Sequence, residues 1–272
     1  MRRCGLISRK NYFEELEGQR REAYVRAVMR ASESNDVVGF VGSGVPTELF
    51  HALGLMALPV HGVDGDILKF SEERGLCSII DSTLTYAKTD RCPLIHSCRL
   101  IVVDDGCPLM AEKMSELREK DIYIYRLSEP DRIRKLKDKL ENVYCRRFDE
   151  KSLDDTVVIT KEISELLYRL KFYSDLNGLE IYILEYYLNF LPLDERLNIL
   201  REVSESAEFS EKPITFRSVR VQSGAGIYRQ IDRMMKGESY RIIEVGCGSE
   251  GTSYDFVYDS CPFADGTRIC YK

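Results

Sequence analysis

Leu100-Ile101-Val102-Val103-Asp104-Asp105-Gly106-Cys107-Pro108 decides the fold. Arg99 to Val103 reads as a buried strand, and a helix is predicted from Pro108 to about Lys120. Cys107 therefore stands at the carboxyl end of a strand, directly before a helix. In an open parallel α/β sheet that position faces the crevice where ligands bind.

The same alternation extends to both sides. Residues 11–34 have helical character, and Val37-Val38-Gly39-Phe40-Val41 follows as a buried strand. A helix from Thr47 to Leu53 is predicted next, with Pro46 in its first turn and Gly54 as its stop. Leu58 to Val63 is expected as a second strand and Ile122 to Tyr125 as a fourth. Strands alternating with helices imply parallel βαβ units, so residues 1–150 are expected to form a doubly wound α/β domain. Residues 151–212 then read as a helical bridge: apolar residues recur at spacings of three and four in Leu153–Leu170 and Ile181–Leu191, and Asp194 is placed to cap a helix to about Ser204. Strand character returns at Ile214–Val221 and Tyr240–Val245, with a Ser223-Gly224-Ala225-Gly226 turn and a helix through Met235 between them. Residues 213–272 are thus expected to be a short second α/β unit, ending in a loop-like tail that contains cysteines.

Composition narrows the function. The chain has 272 residues, is 44% apolar and carries a net charge of −6, so it lacks the basic footprint of a nucleic-acid binder. The basic run Arg132-Ile133-Arg134-Lys135-Leu136-Lys137 reads as a solvated helix face. No stretch approaches the ~20 apolar residues of a membrane span, and the N-terminus has no apolar signal core, so a cytoplasmic protein is expected. Nine cysteines, an odd number, in a reducing compartment argue against a disulfide framework. Cys4 and Cys145 read as peripheral.

Several constellations carry possible chemistry, each beside a plainer reading. Gly39, Gly42 and Gly44 lie in or after the first strand and could form a phosphate-binding turn. Their spacing is not the dinucleotide fingerprint, and Glu48 would repel a phosphate; the plainer reading is a tight strand-to-helix turn. Ser43 opens that turn, either as a catalytic hydroxyl or as the N-cap of the next helix. His61 follows the second strand and could reach the crevice, so it is the histidine to test. His51 should pack against the sheet, and His96 reads as a turn or surface residue. Cys92 and Cys98 flank His96 at a spacing that is not a standard zinc pairing. Cys247, in Glu244-Val245-Gly246-Cys247-Gly248, again follows a strand, as Cys107 does. Cys261 and Cys270 lie in the tail. Thiolates at strand ends point to a metal or iron–sulfur site; a metal-free nucleotide-binding protein is the alternative from another class.

The stretch Val38 to Leu55, with Pro46-Thr47-Glu48-Leu49 and Ala52-Leu53-Gly54, resembles the opening motif of 2-hydroxyacyl-CoA dehydratase subunits. Cys77-Ser78-Ile79-Ile80-Asp81-Ser82 looks like that family's Cys-Ser…Arg-Ser segment, with Asp81 where the family has Arg. Val102-Val103-Asp104-Asp105-Gly106-Cys107-Pro108 is similar to its strand ending in Cys-Asp, with Pro108 in place of Asp. The match in order and spacing runs over roughly residues 37–127. The resemblance implies two doubly wound domains joined by helices and a [4Fe–4S] cluster on three cysteines, with one iron open to substrate. It implies a homologous partner subunit, an ATP-hydrolysing activator that delivers one electron, and radical loss of water from a 2-hydroxyacyl-CoA. Benzoyl-CoA reductase subunits and double-cubane-cluster reductases share the superfamily. Cys77 and Cys107 fall on the two ligands of the first domain. Cys247 is favoured as the third over Cys261 and Cys270, although it matches an earlier family cysteine better than the late ligand. The family's second domain is much longer, which leaves a non-catalytic cluster carrier, assembly factor or partner subunit as a rival.

Overall fold

A computed structural model of the chain describes residues 9–62, 65–71, 78–89, 91–214, 217–221, 240–245 and 257–258. Helix α1 (Arg9–Glu33) leads into β1 (Val37–Val41), followed by α2 (Glu48–Ala52) and β2 (Met56–Pro59). A 3₁₀ turn over Gly65–Phe70 precedes α3 (Ser78–Lys88) and α4 (Pro93–Ser97). Then come β3 (Leu100–Asp104), α5 (Pro108–Ser115), β4 (Ile122–Tyr125) and α6 (Arg132–Tyr144). Helices α7 (Glu150–Tyr173), α8 (Gly178–Tyr187) and α9 (Leu193–Ser206) follow, with a 3₁₀ turn over Leu188–Phe190 after α8.

The first sheet is entirely parallel, in the order β2-β1-β3-β4. Alternation along each strand explains why it must be covered twice. Val37, Val41, Ile101 and Val103 point into one core, packed by Ala23 and Ala27 of α1, Ile80 and Leu84 of α3, Ile95 of α4 and Met110 and Met114 of α5. Val38, Leu100 and Val102 point into the opposite core, against Leu49 and Phe50 of α2 and Leu136 and Leu140 of α6. Each fully buried aliphatic side chain contributes roughly 1.5–3 kcal/mol. The predicted α/β, doubly wound architecture is therefore the one observed.

The helices α7, α8 and α9 form a third core with Phe13 and Leu16 of α1, built on Ile163, Leu170, Leu184, Leu197 and Leu200. Helix α1 thus serves two cores: its first half packs on the helical block and its second half on the sheet. Local signals set the helix starts. Asp149 caps α7 by accepting from the Ser152 N–H at 2.9 Å, and Asn177 with Glu180 forms a reciprocal capping box on α8. Beyond the helices, β5 (Arg217–Val221), β6 (Tyr240–Val245) and β7 (Val257–Tyr258) make a second parallel sheet in the order β6-β5-β7.

Several details differ from the sequence reading. Strand β2 starts and ends earlier than Leu58–Val63, because its ladder with β1 begins at Val37↔Met56. Asp194 sits inside the first turn of α9, whose N-cap is Pro192 with no side-chain bond, so its contribution is that of an acid near a helix start. Val257 and Tyr258 pair with β5 where a loop was expected. The Ser223–Gly226 turn and the helix through Met235 lie outside the described residues.

One buried charge network closes the amino end of the sheet. Asp36, only 5% exposed, receives bonds from Arg30, Ser34 and Arg146. Burial alone would raise its pKa, but the Arg30, Ser34 and Arg146 contacts outweigh it and hold the carboxyl at about 2, below the ordinary 3.8. The folded value is depressed, so the stabilisation is present above the ordinary carboxyl pKa and is lost as pH falls through about 4 towards 2. Both arginines are partly solvated, so we expect about 1–2 kcal/mol from the network. In urea melts, Asp36→Asn should lose that amount at pH 7 and converge on the native chain near pH 2; an equal gap at both pH values would refute the assignment.

Candidate functional site

The strand order places a topological switch between β1 and β3. The chain leaves β1 toward β2 on one side and leaves β3 toward β4 on the other, so the two turns diverge and open a crevice at their carboxyl ends. The β1–β3 register, Val41↔Val103, sets the Gly42-Ser43-Gly44 turn beside Asp104, Asp105 and Gly106.

Asp104 joins the two turns. Its Oδ2 accepts from the Gly44 N–H at 2.6 Å and its Oδ1 from the Gly106 N–H at 3.0 Å. Asp105 reaches the other way, accepting from the Leu127 N–H at 2.8 Å and tying β3's turn to the end of β4. Burial pushes the Asp104 carboxyl up; the two N–H bonds pull it down and Asp105 pushes it up again. The glycines follow from this packing. Gly42 has φ +104°, and a Cβ there would collide with the Asp104 carboxylate. A Cβ on Gly44 would lie 2.6 Å from Leu127 Cδ2. Gly39, inside β1, leaves room for Cys98 Sγ, which would be 2.9 Å from a Cβ.

Cys107 is half-buried and is the N-cap of α5, where its Sγ accepts from the Met110 N–H at 3.4 Å. A donated backbone N–H at a helix start favours the thiolate over the thiol. Ser43 is exposed in the β1 turn. It does not cap α2: the N-cap is Thr47, and it makes no side-chain bond. His61 follows β2, half-buried, with its ring edge-on to Tyr186 of α8 at 6.4 Å between centroids. Burial, helped by the nearby Arg20 charge, pushes its pKa down to about 4, so the imidazole is neutral near pH 7. The next residue, Gly62, donates its N–H to Thr83 Oγ1 at 2.7 Å and so pins the end of β2 to α3. Ser43, His61 and Cys107 therefore follow three adjacent strands and lie along one edge of the sheet, where neighbouring strands are about 4.8 Å apart.

Cys77 and Cys247 lie outside the described residues, as do Cys4, Cys261 and Cys270; α3 begins at the residue after Cys77. Cys92 and Cys98 are core residues. Cys98 donates to the Leu94 carbonyl at 3.0 Å, and burial raises the pKa of both thiols, which keeps them protonated. Cys145 is exposed at the end of α6. His96 is exposed and its Nε2 lies 2.6 Å from the Thr89 carbonyl, as befits a surface histidine. His51 lies in α2, where burial and the Arg196 charge push its pKa down to about 3. Among the described residues no group of three or more His, Cys, Asp or Glu could hold a metal ion.

Sequence reasoning did not single out Asp104 or Asp105. Their signal was available: two carboxylates ending a buried apolar run, directly before a glycine. Tyr186 had no such signal, because it reaches His61 from a helix far along the chain.

Over residues 43–258 the sequence matches the family described as 2-hydroxyglutaryl-CoA dehydratase, D-component. No curated protein matches the chain.

Proposed function

Since the chain belongs to the 2-hydroxyglutaryl-CoA dehydratase D-component family, we propose that it is the iron–sulfur subunit of an acyl-CoA dehydratase or reductase system. The observation that carries this reading is Cys107: a half-buried residue at the switch point whose sulfur accepts a helix N-terminal N–H, the kind of position at which cluster ligands are held. The ligands we assign are Cys77, Cys107 and Cys247, Cys77 on the strength of the family motif and Cys247 for its place directly after β6 in the sequence. When bound, a [4Fe–4S] cluster on three thiolates supplies one transferable electron and one iron with an open position.

The chain's own residues have narrower tasks. Ser43 presents a hydroxyl to the acyl end of the substrate. His61, neutral, accepts a hydrogen bond and serves neither as an acid nor as a strong base at pH 7. We retain three segments, 1–150, 151–212 and 213–272, as first α/β domain, helical bridge and second α/β unit. The proposed partners are a homologous subunit, an ATP-dependent electron activator and an acyl-CoA. Among the described residues no helix is long and apolar enough to cross a membrane, and a reduced cluster with free thiols suits the cytoplasm.

The test is iron and sulfide analysis after anaerobic purification, followed by acyl-CoA binding. We expect a brown protein with roughly four irons per chain. Colourless protein without iron after reconstitution would retire the cluster. Iron without acyl-CoA affinity would move the chain to the class of carriers, assembly factors or non-catalytic partner subunits.

A further inference from the structure

Open α/β sheets commonly hold a phosphate at the switch point, on backbone N–H groups of the βα turns and at the start of the following helix. In this chain both positions are filled by its own side chains. The Asp104 carboxylate takes the Gly44 and Gly106 N–H groups, at 2.6 and 3.0 Å, and the Cys107 sulfur takes the Met110 N–H of α5. Asp104 is buried, and the turn is shaped around it, since a side chain on Gly42 would strike the carboxylate. Helix α2 spans only five residues and carries Glu48 in its first turn, so it offers a phosphate little field. Asp105, bonded to the Leu127 N–H, adds a second carboxylate beside the first.

We propose that Asp104 is a specificity-determining residue: it is the resident anion of the switch point, closes it to phosphoryl groups and leaves it open to an uncharged or electropositive group. Resting on the function proposed above, this orients the substrate. The uncharged thioester carbonyl enters beside Ser43 and Cys107, and the nucleotide phosphates of the thioester stay outside the crevice. The residue acts by occupying two donors and by adding to the charge repulsion, and Asp104→Ser frees the donors and removes its share of that charge.

The test is pyrophosphate binding to the full chain, by equilibrium dialysis, with the Gly44 and Gly106 amide resonances as reporters of place. The native chain should show no binding at these amides at millimolar pyrophosphate. Asp104→Ser frees both donors and should gain at least about tenfold in affinity, with sulfate competing and the two resonances shifting. Asp104→Asn matches the native side chain in size, loses the charge and keeps one acceptor; it should show a smaller gain, and it decides the matter should the serine variant fail to fold. Pyrophosphate shifting these amides in the native chain would overturn the proposal, as would folded variants with no gain. Iron content of the native chain is read separately, so an iron-free protein retires the cluster while leaving the role of Asp104 standing.

Discussion

Cys107→Ala purified anaerobically should retain less than about a tenth of the iron of the native chain, and Cys77→Ala should behave the same way. Changes merely beside a metal ligand cost 10–100-fold in affinity, and loss of a ligand costs at least that. The controls separate ligation from folding. Cys145→Ala removes an exposed thiol and should leave both iron and stability unchanged, as should Cys4→Ala for iron. Cys98→Ala should keep the iron yet lose about 1 kcal/mol, because it empties space beside Gly39 in the first core. The same series decides the third ligand: Cys247→Ala beside Cys270→Ala, read by iron content and by the EPR spectrum of the reduced protein. An unchanged spectrum in Cys247→Ala with loss in Cys270→Ala moves the ligand to the tail. Equal iron in Cys107→Ala and Cys145→Ala would remove Cys107 from the site.

Gly42→Ala should destabilise the chain by about 3 kcal/mol in denaturant melts. A side chain at φ +104° is strained, and its Cβ collides with the Asp104 carboxylate, so the bond to the Gly44 N–H must break. The neighbouring Ser43→Ala should cost less than about 0.5 kcal/mol, since Ser43 is exposed and caps no helix. The pair isolates function from fold: Ser43→Ala keeps stability and, on the proposed role, lowers turnover. Equal melting of Gly42→Ala and the native chain would show that the turn moves freely away from Asp104.

Hydrophobic pattern alone located three of the four strands of the first sheet. Val37–Val41 and Ile122–Tyr125 have the predicted ends, and Leu100–Asp104 is shifted by one residue; the two central strands, buried on both faces, read as unbroken apolar runs. Gly54 stops α2 as expected and adopts φ +68°. Helices α3 and α4 were not anticipated. Thr83 and Thr85 sit inside α3 with their hydroxyls turned back to the Ile79 and Asp81 carbonyls, a local satisfaction that composition does not announce. Cys92 and Cys98, candidate metal ligands at a spacing that fits no standard zinc pairing, are core thiols because α4 packs under the sheet.

What the sequence determined by itself was local: which runs are strands, where glycine and proline stop a helix, and that Cys107 follows a strand and precedes a helix. Those properties depend on neighbours within a few residues, and period and turn chemistry report them. Strand order was decided only in the tertiary structure. The order β2-β1-β3-β4 makes neighbours of the Gly42–Gly44 turn and of Asp104, which lie 60 positions apart in the chain from Gly44 to Asp104. No local pattern encodes that meeting. It follows from packing two apolar faces under two sets of helices, and it makes the Gly42–Gly44 turn a cradle for a carboxylate.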